Sequence, residues 1–124
     1  MSNYEFNEVE NQTVDELRSV LRQIGILFAL EAIVQIPFFF LRLDYLSSGR
    51  AAIWLITILF LLIMSFAYFR PLDNLKRIVM TQGSDIKEMM QALADLRVAF
   101  SIAAIVLVLH IVATNIDSVL ILLP

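Results

Sequence analysis

The chain has 124 residues, 60% of them hydrophobic, a net charge of −3 and no cysteine. That composition predicts one small domain and excludes disulfides, thiolate metal sites and cysteine nucleophiles. A single histidine cannot assemble a zinc or two-histidine haem site within one chain, three isolated glycines make no phosphate cradle, and no basic, aromatic-interleaved face suggests nucleic acid.

Met1–Gln12 reads as an acidic, polar tail. No Lys or Arg occurs before residue 18, so the start does not resemble a secretory signal, and the first apolar segment is expected to stay in the mature protein. Thr13-Val-Asp-Glu16 fits a capping box and predicts a helix over 13–41, with Leu17, Val20, Leu21 and Ile24 at helical spacing. Within it, Ile24–Leu41 carries one charge, Glu31, over 18 residues. Pro37 removes a helical hydrogen bond and predicts a kink. Arg42–Arg50 reads as a short loop turning at Ser47-Ser48-Gly49.

Ala51–Phe69 is a second apolar run of 19 residues without a charge. Trp54 stands near one end, and Tyr68 and Phe69 near the other, where amphipathic rings mark membrane interfaces. Residues 71–97 then predict two short helices joined near Gly83, with Ser84 or Asp85 capping the second. Leu72, Leu75 and Val79 form one seam; Ile86, Met89, Leu93 and Leu96 form another, continued by Phe100. Two such seams predict an antiparallel hairpin that carries the second and third spans about 15–20 Å beyond the membrane, the rival reading being two helices lying flat on the membrane with their apolar side down. Its polar face is assigned Asp73, Lys76, Arg77, Lys87, Glu88 and Asp95. Val98–Ile116 is the third apolar run, within a span predicted over 98–119, and 118–124 are expected at the far interface.

About 20 apolar residues at 1.5 Å rise cross the hydrocarbon core, so each run predicts a transmembrane helix. The Lys/Arg distribution sets the orientation. Arg18, Arg22, Arg70, Lys76, Arg77, Lys87 and Arg97 fall on one side, and only Arg42 and Arg50 on the other. The positive-inside rule therefore predicts a cytoplasmic N-terminus, a cytoplasmic hairpin and an outer C-terminus.

The polar groups within the spans are the candidate functional residues. A carboxylate at mid-span costs about 2.5–3.5 kcal/mol on insertion scales, which makes Glu31 the foremost of them. Gln35 follows one turn later. His110 lies 13 residues beyond Arg97, as Gln35 lies 13 beyond Arg22. If Arg22 and Arg97 mark the same boundary, a Glu31/Gln35/His110 cluster is predicted between the first and third spans. It reads as a polar clip, a partner-facing contact or a proton or ion relay. Gly25/Ala29 and Ala99/Ala103 are small-residue pairs at matching depth, which predicts close packing of those two spans or self-association. His110 is also the one candidate axial ligand for a haem or chlorophyll-type pigment, although Val106, one turn before it, crowds a macrocycle.

Arg70-Pro-Leu-x-x-Leu75 resembles the opening of a HAMP signalling linker, but the chain returns to the membrane instead of continuing to an output domain. Lys76-Arg-Ile-Val-x-Thr-x-Gly-x-Asp-Ile-x-x-Met-Met-x-Ala-Leu-x-x-Leu96, with Tyr4, Phe6, Glu10 and Asn11 upstream, resembles a pattern in small, uncharacterised bacterial multi-pass membrane proteins. That resemblance implies a bacterial membrane protein and no particular reaction. The expectation is an all-α, three-span, non-catalytic accessory or assembly subunit with no cofactor. Its partners are lipid, other membrane subunits or copies of itself. The alternatives are an oligomeric proton or ion pathway lined by Glu31, Gln35 and His110, and a pigment- or haem-binding membrane subunit that uses His110.

Overall fold

A computed structural model of the protein describes the backbone of residues 4–81 and 85–122, and their side chains except 112–114 and 116–122. The protein is all-α. Its elements are α1 (Glu8–Arg42), a 3-10 turn (Leu43–Tyr45), α2 (Ser48–Phe69), α3 (Leu72–Met80) and α4 (Asp85–Leu122). Three rods are long and apolar enough to cross a membrane: α1, α2 running on into α3, and α4. The 35 residues of α1 and 38 of α4 extend about 52 and 57 Å, well beyond a hydrocarbon core of about 30 Å.

The first helix starts earlier than the sequence predicts. Asn7 caps it: the Glu10 amide donates to Asn7 Oδ1 at 2.9 Å, and the Asn7 amide donates to Glu10 Oε2 at 2.8 Å. Two capping-box patterns thus compete within a few residues, and the upstream one forms. The earlier start accompanies packing of Phe6 against the core that holds Val14. Thr13 instead lies within the helix, its hydroxyl donating to the Val9 carbonyl at 2.9 Å. The helix runs without interruption through Pro37. The following loop is shorter than predicted, because Ser47 caps α2 and Ser48–Arg50 already form its first turn. Gly83 and Ser84, predicted to end one helix and cap the next, lie outside the described residues.

The rods pack through seams of 3.5-residue period, the geometry of knobs-into-holes packing. Along α1, Val14, Leu21, Gly25, Ala32 and Phe39 are buried, and Phe28 and Gln35 half-buried. Along α2 and α3, Ala51, Trp54, Ile58, Leu61, Ser65, Tyr68, Leu72 and Leu75 repeat the same spacing across the Arg70-Pro71 joint. Pro71 lacks an amide donor, but it is fully buried, and its carbonyl accepts from the Leu75 amide at 3.1 Å. The second rod therefore acts as one scaffold. α1 packs along α2 and α3 on one side, and α4 packs on α2 and α3 from another.

At the hairpin end, Val14 and Leu21 of α1, Leu75 and Ile78 of α3, and Ala92 and Leu96 of α4 share one core. This corrects the expected hairpin. It is a three-helix arrangement, with the start of α1 as the third member. The Phe6 amide donates to Asp85 Oδ2 at 2.7 Å and fastens the chain start to the base of α4. The acidic segment is thus structured from residue 4 onward. The seam also shifts. Leu72 and Met89 are half-buried, and Leu75 and Leu96 buried, as expected. Val79, Ile86 and Leu93, however, are 36%, 51% and 50% exposed, and Ile78, Asp85 and Ala92 take the inward places. On α4 a polar and a small residue, Asp85 and Ala92, take the inward places, whereas on α3 the large Ile78 does.

Polar rungs explain the inward carboxylates. Asp95, only 6% exposed, accepts from Asn74 Nδ2 at 3.2 Å and lies 3.4 Å from Arg70 Nε; Arg77 pairs with Glu88 at 3.8 Å. Asp95 and Glu88, expected on the outward face, therefore join α4 to the second rod.

Candidate functional site

The polar residues of the spans sort onto two helix faces. On the inner face of α1, Gln35 stands in the seam between Ala32 and Phe39 and reaches α2. Trp54 Nε1 donates to Gln35 Oε1 at 2.8 Å, and Gln35 Nε2 donates to Glu31 Oε1 at 2.7 Å. Trp54 is held edge-on against Phe39, with ring centroids 6.0 Å apart. All donors in this chain point toward Glu31, so each hydrogen bond polarises the next and strengthens the acceptor at its end. Glu31 itself is exposed, one position round the helix from the buried seam. Its second oxygen, Oε2, meets no donor among the described residues.

The predicted cluster is thus partly assembled. Glu31 and Gln35 are joined, and Trp54, read from sequence only as an interface marker, is the third member. The pairing of an intramembrane glutamine with an indole one helix away was the missed signal, since both side chains need a partner in a dry environment. His110 is not brought to Glu31 within the chain, because α4 packs chiefly on α2 and α3 and meets α1 at the hairpin end. It sits on the continuation of the α4 seam through Ala99, Ala103 and Val106, but it is exposed. Every described side chain from Leu107 to Ile111 is exposed, so the bundle has opened at this level.

The small residues are likewise used differently from the expectation. Gly25 is buried against α2, not α4. Its carbonyl accepts from Ser65 Oγ at 2.8 Å, and a Cβ there would meet the Phe69 ring at 3.2 Å. Ala29 is half-buried on α1. Ala99 is fully buried and Ala103 half-buried, the latter packing on the core that includes Met64 and Tyr68. Gly25 permits close approach to the central rod, as does the Ala99/Ala103 pair. Tyr68 marks where the rods converge, stacked on Phe28 of α1 at 5.7 Å and edge-on to Phe100 of α4 at 6.4 Å.

No group of three metal-ligating side chains occurs among the described residues. Comparison with known protein families, curated proteins and solved structures finds no match. The chemistry of the site is therefore read from its geometry. It offers a directed hydrogen-bond chain that ends on an open carboxylate, within a helix face of otherwise apolar residues.

Proposed function

We propose that the protein is a non-catalytic subunit that docks, through its membrane-embedded helix faces, in a larger membrane assembly or in a homo-oligomer. The observation that carries this reading is the exposure of Glu31. Ionisable groups within spans almost always face a bundle interior or a partner, because lipid offers them no hydrogen bond. Here the group is fixed by Gln35 and turned outward. Only 17%, 28% and 22% of the most apolar stretches of the three rods is buried within the chain, which leaves broad faces for other helices. The positive-inside count supports a cytoplasmic N-terminus and hairpin, and the sequence resemblance supports a bacterial inner membrane.

The test is extraction of the tagged protein from its own membrane in mild detergent, followed by mass spectrometry and mass measurement of the native particle. A defined assembly, of this chain alone or with others, is the expected result. A monodisperse single chain with no companion overturns the reading.

A proton or ion pathway in an oligomer is the second reading, favoured by the open oxygen of Glu31. It predicts that Glu31→Gln reduces flux through liposomes carrying the protein, and unchanged flux removes it.

A further inference from the structure

At one height of the bundle each rod carries an arginine. Phe28 of α1 and Phe100 of α4 both meet the ring of Tyr68, with centroids 5.7 and 6.4 Å away, so the three rods are level there. Arg22 lies six residues from Phe28, Arg70 two from Tyr68 and Arg97 three from Phe100, each toward the hairpin end. At 1.5 Å per residue the displacements are about 9, 3 and 4–5 Å. On the other side of this level, Ala51–Phe69 and Val98–Ile116 carry no charge. The arginines therefore stand where the apolar rods meet lipid headgroups, at the height of the phosphates.

The three are not equivalent. Arg70 lies 3.4 Å from Asp95, whereas Arg22 and Arg97 have no acidic partner among the described residues. Arg97 also lines an open groove of about 550 Å³, together with Leu93, Leu96, Phe100, Ser101 and Ala104. The small side chains of Ser101 and Ala104 hollow this groove on its membrane side, beside Phe100, which is 58% exposed. The Ser101 hydroxyl donates to the Arg97 carbonyl at 2.8 Å. That leaves the guanidinium as the one polar group of the lining available to a ligand. A cation at the boundary, with an apolar trough running from it into the membrane, fits an amphiphile that has an anionic head and a hydrocarbon chain.

We propose that this groove binds an anionic phospholipid, with the headgroup phosphate on Arg97 and an acyl chain along Phe100, Ser101 and Ala104. A guanidinium fork matches phosphate oxygens in pairs, and basic pockets at the ends of membrane helices take anionic headgroups in this way. The arginine stem lies along apolar surface while its head stays at the interface. A second copy of this chain is a poorer occupant, because a two-fold pair through this face sets one Arg97 against the other. The site belongs to a single chain, so it stands or falls apart from the docking reading above.

The test reconstitutes the full chain in vesicles of equal parts phosphatidylcholine and phosphatidylglycerol. Lipids that stay bound after mild-detergent extraction are counted by native mass spectrometry. Phosphatidylglycerol should be retained over phosphatidylcholine. Arg97→Gln should lower that preference about fivefold, the worth of one arginine near an anionic surface. Ala104→Phe fills the hollow and should release the lipid although Arg97 remains. Both positions are exposed, so neither change disturbs the core. Arg22→Gln, close to the same level but outside the groove, should leave retention unchanged. Excess glycerol phosphate should not displace the lipid; displacement would mark a phosphate site with no use for the chain and overturn the proposal. Equal retention of the two lipids, or equal losses for Arg22→Gln and Arg97→Gln, also overturns it.

Discussion

The two ends of this molecule are organised by different solvents. At the hairpin end, α1, α3 and α4 close around Leu75 and Ile78, which are 0% and 1% exposed, and polar rungs through Asp95 and Glu88 reinforce the closure. At the loop end, α1 and α2 remain together through Ala32, Phe39, Ile58 and the Trp54–Gln35 bond, while the side chains of α4 from Leu107 to Ile111 are exposed. The difference follows from where the hydrophobic effect acts. Beyond the membrane, apolar side chains must leave water, and burying each large one contributes about 1.5–3 kcal/mol. Within the membrane, lipid tails are as apolar as leucine. Association there depends on close packing and polar contacts, and the α4 side chains from Leu107 to Ile111 remain exposed at that level. The hairpin end is closed around a core, and the loop end leaves these α4 side chains exposed.

Mutations at the two ends should reveal this contrast. The largest effect is expected for Leu75→Ala, at about 2–5 kcal/mol, because it empties a fully enclosed site. Faster hydrogen exchange of the α3 amides and faster tryptic cleavage at Lys76 and Arg77 would report it. Leu107→Ala at the opposite end should change isolated-chain stability by less than about 0.5 kcal/mol. Equal effects at the two sites would break the comparison.

A smaller loss, about 1–3 kcal/mol, is expected for Asp95→Ala, since it leaves the half-buried Asn74 amide without its partner. Arg70 adds little to this figure because it is more than half exposed and its ion pair is screened. Thermal unfolding in detergent measures the change, and Asp95→Asn should recover part of it.

Gln35→Leu sharpens the comparison from the membrane side. It removes the link between Trp54 and Glu31 and should cost about 0.6–1.7 kcal/mol. Trp54 is the only tryptophan, so a blue shift of the intrinsic emission reports loss of its hydrogen bond directly. An unchanged spectrum would show that the bond does not persist in the membrane.

The smallest effect concerns the chain start. Tyr4 donates to Glu10 at 2.9 Å, and that hydrogen bond, with the nearby negative charge, raises the phenol above its ordinary value of 10.0. The folded tail binds this proton more tightly than the unfolded chain, so the contribution is present below pH 10 and is lost as pH rises through the raised value. Absorbance titration of the phenolate should show the shift, and Glu10→Gln should reduce it.

Much of the architecture was legible in the sequence. Three uncharged or nearly uncharged runs predict three spans, and the 3–4 spacing after Pro71 predicts a hairpin, because length and periodicity are properties of the local chain. Glu31 and Gln35 were visible as out-of-place polar groups for the same reason. The partners were not legible. Large residues at Ile86 and Leu93 drew the seam to the wrong face, because hydrophobicity alone does not tell that Ala92 and Ala99 allow the backbones to come close. Depth matching placed His110 beside Gln35, yet equal depth says nothing about which rods are neighbours.

By itself the sequence determined the number of candidate spans, their lengths, the polar residues they carry and the asymmetric placement of Lys and Arg between them. Only the tertiary structure decided that α2 and α3 form the central rod, that the start of α1 completes a three-helix core, and that Trp54 rather than His110 joins Glu31 and Gln35 within the chain. The physical reason is that crossing a membrane is settled residue by residue through transfer free energy. The choice of neighbour depends on how closely whole helix faces fit, which no single segment encodes.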